Sequence, residues 1–177
     1  PTNHCYFNLA GESSGARTLL DHTVQIDANA IAKTNEDMTL VGKKANLIEG
    51  FNDLSKTVRI GDLSELSYKN VDSHYFLNGG RTKVPRHVAT VSHPTSKRIL
   101  KLWTTEPGVQ FYAAINLSTD ILDLGKNHKA YETKGAFCLE TQDYPDSINC
   151  PSMGSAILRP KSNFYSRTLF QIEHLED

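Results

Sequence analysis

The chain has 177 residues, long enough for one domain with its own core. Its 19 Lys and Arg residues against 20 Asp and Glu give a formal net charge of −1 and a pI near 6.8. That balance argues against nonspecific nucleic-acid binding and adhesion to an anionic membrane, and no apolar run is long enough to span a bilayer.

The chain opens on Pro1 rather than Met, and Thr2-Asn3-His4-Cys5-Tyr6-Phe7 already reads as structured interior. A natural terminus is usually looser and more polar, so the expectation is a fragment or the mature end of something longer. Thr23 to Ala28 alternates, with Val24, Ile26 and Ala28 on one face. Leu63 to Lys69 offers one or two helical turns. Val71-Asp72-Ser73-His74-Tyr75-Phe76-Leu77 leads into a strand. His87 to Val91 and Ile99 to Thr105 are extended runs around His93-Pro94-Thr95-Ser96-Lys97, a hairpin pattern. Val109 to Ala113 follows the Glu106-Pro107-Gly108 break, and Phe137 to Thr141 is a further extended run. Phe164 to His174 closes the chain, with Phe164, Phe170 and Ile172 expected to share a face. No window of useful length sustains helical i, i+3, i+4 spacing. Strands separated by Gly, Pro, Asn and Asp clusters predict an all-β sandwich or barrel in a single domain, residues 1–177, without repeats or a linker.

Several chemistries are poorly supported. Gly79-Gly80 reads as a turn pair, not a phosphate loop, and GxSxG is absent. The 7 histidines include neither HExxH nor a paired Cys/His cluster, so no metal is expected. The Lys43-Lys44 and Lys97-Arg98 pairs read as solvated loop charge. The cysteines, Cys5, Cys138 and Cys150, are odd in number without CxxC spacing. With no signal-like apolar region at the start, they read as reduced thiols in a cytoplasmic protein, and the Asn116-Leu117-Ser118 sequon reads as chance.

Acid–base chemistry remains. Glu140 is the one carboxylate in an apolar, strand-like run. A buried lone carboxylate is costly unless paired or used, and burial raises its pKa toward the range of a useful general base. The competing reading is an edge-strand Glu facing water. Cys138 lies two residues away, on the same face of a strand, and reads as packing. His4 sits among polar and aromatic residues, where Asn3 and Asn8 are placed to hydrogen-bond a polyol. Asp72 is either a site carboxylate or a turn Asp. Gln110 is a polar side chain in a β-branched and aromatic run. Aromatic faces mixed with Asn, Asp, Gln and Glu suit a neutral carbohydrate.

Four segments together resemble the aldose 1-epimerase (galactose mutarotase) family: Thr2-Asn3-His4-Cys5-Tyr6-Phe7-Asn8-Leu9, Val71-Asp72-Ser73-His74-Tyr75-Phe76-Leu77, Pro107-Gly108-Val109-Gln110-Phe111-Tyr112 and Phe137-Cys138-Leu139-Glu140-Thr141-Gln142-Asp143-Tyr144-Pro145-Asp146. Their order and spacing agree over essentially the whole chain. The resemblance implies an antiparallel β-sandwich and interconversion of α and β anomers of free aldoses such as galactose and glucose. It implies Glu140 as base, His4 as acid, and Asp72, Gln110 and Asn3 as sugar ligands, with no cofactor. Departures accompany it. Family members are much longer, and this chain resembles their C-terminal part alone, without the Arg and second His of the N-terminal part. Such a half is expected to expose sheet edges and apolar surface, which favours aggregation or pairing with another chain. Ser73 separates Asp72 from His74, and Cys5 stands where Ser is common. Two other readings stand beside catalysis of mutarotation: a carbohydrate-binding module without turnover, and a glycosidase, for which Asp72 is the sole candidate second carboxylate.

Overall fold

In the computed structural model the described residues are 1–12, 14–35, 39–46, 53–62, 71–117, 125–128 and 130–176. The strands are β1 Thr23–Ile26, β2 Ala28–Thr34, β3 Leu40–Asn46, β4 Val58–Arg59, β5 Asp72–Leu77, β6 Arg86–Ser92, β7 Arg98–Thr104, β8 Gly108–Tyr112, β9 Cys138–Gln142 and β10 Thr168–His174. Among the described residues one short α-helix, α1, spans Gly15–Leu19. Two five-stranded sheets result, ordered β10-β7-β6-β1-β4 and β3-β2-β5-β8-β9, and every strand pair is antiparallel. The all-β, antiparallel sandwich expected from the sequence is the observed architecture.

Alternation explains the core. Val24 and Ile26 of β1, Val88 and Val91 of β6, and Leu100 and Leu102 of β7 join Tyr75 and Leu77 of β5, Val109 and Phe111 of β8 and Leu139 of β9 in one buried cluster. Each fully buried aliphatic or aromatic side chain contributes about 1.5–3 kcal/mol relative to exposure. The predicted hairpin is β6–β7, with Val91 opposite Leu100. The run from Thr23 to Ala28 is divided at Asp27, where the chain passes from the first sheet to the second. Asp27 N–H donates to Val88 O at 2.8 Å and its carbonyl accepts from Asn78 N–H at 3.0 Å. Val24, Ile26 and Ala28 nevertheless all face the interior, because the crossing keeps the two-residue period. The Gly79-Gly80 turn needs its glycines, with φ of 80° and 61°.

Other expectations need correction. Phe164 does not share a face with Phe170 and Ile172. β10 begins at Thr168, opposite Thr104 at the end of β7, so Phe164 lies ahead of the strand, and its ring lies 5.7 Å from the Arg81 guanidinium carbon. Phe170 packs against the core, whereas Ile172 is 60% exposed. Arg98 begins β7 rather than standing in a loop, and its guanidinium donates to Leu9 O at 2.8 Å. Residues 63–70 and the side chains of Lys43 and Lys44 lie outside the described set.

Candidate active site

The site is built on the outward face of the second sheet. Because alternate residues point the same way, the register brings Asp72, Tyr112 and Cys138 into one row across β5, β8 and β9, and His74, Gln110 and Glu140 into the next. Ser73 and Tyr75 point to the opposite side, so the inserted Ser73 leaves Asp72 and His74 on a common face. Gly108 makes room for His74: a Cβ there would lie 2.3 Å from the imidazole ring.

The N-terminal segment closes this face at the β9 edge. Phe7 and Phe137 exchange backbone hydrogen bonds of 2.8 and 2.9 Å in an antiparallel bridge. Continued backward, that register sets Tyr6 beside Cys138 and His4 beside Glu140. Accordingly His4 Nε2 lies 3.4 Å from Glu140 Oε1. The His4 ring stacks on Tyr6 at a centroid distance of 5.0 Å and meets the edge of Tyr112 at 5.9 Å. Two side chains hold the segment from behind. Leu9 N–H donates to His22 Nε2 at 3.0 Å, and Leu9 O accepts from Arg98.

His4, Tyr6, Asp72, Gln110, Tyr112, Asn116, Glu140, Gln142 and Pro145 line an open cavity of about 400 Å³. This lies within the size range of small-molecule sites. Gln110 Nε2 donates to Asp72 Oδ1 at 2.6 Å. Glu140 is only 8% exposed, which removes the water-facing reading of that residue. Burial raises its carboxyl above the usual carboxylate range; the neighbouring His4 opposes this and the Asp72 charge reinforces it. The Cys138 thiol is pushed up to about 12 by burial and then by the Glu140 charge, so it is protonated at neutral pH and not a nucleophile.

Four of the five expected site residues, His4, Asp72, Gln110 and Glu140, line the cavity, whereas Asn3 does not. Asn8 serves the backbone rather than a ligand: its amide donates to Gly135 O at 2.9 Å, and its Oδ1 accepts from Ala10 N–H at 3.0 Å. Tyr112 and Gln142 were legible in principle, each two residues along a strand from a candidate. Asn116 and Pro145 sit in loops, where no period points to them. Arg81 fixes the loop that carries Pro145, through a two-pronged contact with buried Glu106, both distances 2.9 Å, and a third contact of 2.9 Å to Asp143.

Residues 1–171 match the family described as aldose 1-epimerase. This chain belongs to that family. The galactose mutarotase of Bos taurus is 37% identical over 171 residues, 96% of this chain and 48% of that protein. Among solved structures, a galactose 1-epimerase from Lactobacillus acidophilus is 25% identical, with a TM-score of 0.65 over 98% of this chain and 48% of its own. An aldose epimerase homologue from C. elegans, 19% identical, shares the fold with a TM-score of 0.79, covering 99% of this chain and 51% of that one. This aldose 1-epimerase family chain thus spans about half the length of the curated relatives it matches.

Proposed function

We propose that this chain carries the proton-transfer groups of an aldose 1-epimerase, acting on free aldoses of the galactose and glucose type, and corresponds to the C-terminal part of such an enzyme. The observation that carries the reading is the 3.4 Å approach of His4 Nε2 to buried Glu140 at the wall of the cavity. The reaction needs two groups at neighbouring oxygens of one anomeric carbon: a base for the hydroxyl and an acid for the ring oxygen. Glu140, its carboxyl raised by burial, takes the hydroxyl proton. That electron pair forms the aldehyde C=O, the bond from the anomeric carbon to the ring oxygen breaks, and imidazolium His4 protonates the departing ring oxygen. The aldehyde turns about its bond to the next carbon. The ring hydroxyl then attacks the opposite face, returning its proton to His4, while Glu140 returns its own to the new anomeric oxygen. No electron carrier enters the balance.

Asp72 and Gln110, already hydrogen-bonded to each other, present an acceptor and a carboxamide to sugar hydroxyls. Tyr6 and Tyr112 add ring faces. Asn3 lies outside the cavity lining, and among the described residues no contact of the site depends on it.

The test is polarimetry of freshly dissolved α-galactose. Glu140→Gln is expected to lose about 100-fold or more of the acceleration, the usual share of a general base, while sugar binding by calorimetry persists. Unchanged catalysis in that variant overturns the role. A second reading is sugar binding without turnover, in which the cavity holds a sugar but the His4–Glu140 pair does not exchange its protons. A folded chain that binds galactose without accelerating mutarotation selects it.

A further inference from the structure

Beside the proton-transfer pair stands a third group that the proposed reaction does not use. Cys138 and Glu140 project from the same face of β9, and the Phe7–Phe137 bridge carries His4 over both. One ligand atom from each of His4, Cys138 and Glu140 lies within 4.8 Å of the other two. The sequence predicts no metal site because these residues form no local motif, yet antiparallel pairing joins positions far apart in the chain.

We propose that His4 Nε2, Cys138 Sγ and a Glu140 carboxylate oxygen form a three-ligand site for a thiophilic divalent cation of the zinc class, and that its occupancy excludes sugar and stops proton transfer. The inhibitory half rests on the function proposed above; the binding half stands on geometry alone. Around a tetrahedral zinc ion, bonds of roughly 2.0–2.2 Å to N and O and about 2.3 Å to S set the ligand atoms about 3.4–3.6 Å apart. The His4–Glu140 separation of 3.4 Å already meets that edge length. His4 is exposed and lies on a segment without regular secondary structure, so closing the remaining distance to sulfur takes a turn of its ring off the Tyr6 stack and not a shift of the sheet. Among the described residues no hydrogen bond holds the fully buried Cys138 thiol. His4 and Glu140 line the cavity together with Gln110 and Tyr112, whereas Cys138 lies buried behind that lining.

A thiolate–imidazole–carboxylate set selects zinc-like ions over magnesium or calcium, which prefer all-oxygen surroundings. On binding, the sulfur–metal bond replaces the sulfur–hydrogen bond and the proton leaves to solvent. Apparent affinity therefore rises about tenfold per pH unit for each proton released. The same ion holds the Glu140 oxygen and the His4 nitrogen that proton transfer requires.

Cobalt(II) titration of the full chain tests the binding half, read by thiolate-to-cobalt charge-transfer absorption. The band is expected at one equivalent, to disappear when Zn²⁺ is added, to persist in Cys5→Ala and Cys150→Ala, and to vanish in Cys138→Ser. His4→Gln, at an exposed position where misfolding is not at issue, is expected to weaken the ion at least tenfold. Absence of the band, or a band of equal strength in Cys138→Ser or His4→Gln, overturns the site. Galactose is expected to raise the cobalt concentration needed for half-saturation; no such shift overturns the exclusion of sugar. If the chain does not accelerate mutarotation but the band keeps this residue dependence, the metal site stands and the functional reading fails. If it is active and Zn²⁺ leaves the rate unchanged while the band forms, the inhibitory half is overturned.

Discussion

Lowering the pH from neutrality toward 4 is expected to remove about 3 kcal/mol of folding stability through one imidazole, His22. This ring is fully buried beneath the segment that carries His4. Its Nδ1 faces Thr18 O at 2.9 Å and its Nε2 faces Leu9 N–H at 3.0 Å. The carbonyl demands a donor and the amide demands an acceptor, so the hydrogen bonds assign the neutral ring with its proton on Nδ1. A second proton would set N–H against N–H at Leu9. Burial pushes the pKa from 6.5 to about 4; the Thr18 carbonyl opposes this, and the adjacent His93 adds to the fall. The His22 and His93 ring centroids are 4.7 Å apart. Because the folded pKa is depressed, the contribution is complete above 6.5 and is lost as pH falls toward about 4. At about 1.4 kcal/mol per pH unit, that interval amounts to about 3 kcal/mol. Urea unfolding across this range, on the wild-type chain and on His22→Gln, isolates the effect from carboxylates that titrate nearby. The stability advantage of the wild type over the variant is expected to shrink by about 3 kcal/mol on acidification. Parallel losses in the two proteins would refute the assignment, and His93→Gln separates the neighbour's share.

Gly108→Ala forces a methyl carbon to within 2.3 Å of His74, so a loss of about 1–3 kcal/mol is expected by thermal melting; wild-type stability would mean that the ring is free to move. Glu106→Gln removes the buried one of Arg81's two carboxylate partners, leaving Asp143, and is expected to cost about 1.5–3 kcal/mol in chemical denaturation, with weaker sugar binding as the loop bearing Pro145 loosens. With Glu140 as the base proposed above, the acid limb of the kcat/KM profile is expected above the ordinary carboxylate range. Asp72→Asn should move it down, because the Asp72 charge raises the Glu140 pKa. An unmoved or rising limb contradicts that coupling. Thiol labelling of the native chain is expected at exposed Cys5 and not at buried Cys138.

Alternation made much of the fold legible. The β6–β7 hairpin, β8 and β9 follow from two-residue patterns bounded by Pro and Gly, since a strand with one buried face must alternate. β2, β3 and β4 were not foreseen. β2 begins directly after β1, separated by Asp27 alone, and β4 has two residues, too few to display a period. Of the site, Glu140 announced itself as a charge in an apolar run, and Gln110 as an amide in an aromatic one. His4 carried no such local signal.

By itself the sequence determined that Cys138 and Glu140 share a strand face, and the same alternation pairs Gln110 with Tyr112 and Asp72 with His74 once the bounds of β8 and β5 are known. Those pairings are local, because the backbone alternates every residue whatever the strand packs against. Only the tertiary structure decided that the three strands lie side by side in the register that aligns their polar faces, and that His22 and Arg98 hold Leu9 so that His4 reaches Glu140. Register between distant strands depends on core packing and on hydrogen bonds across many intervening residues, and no local pattern encodes either.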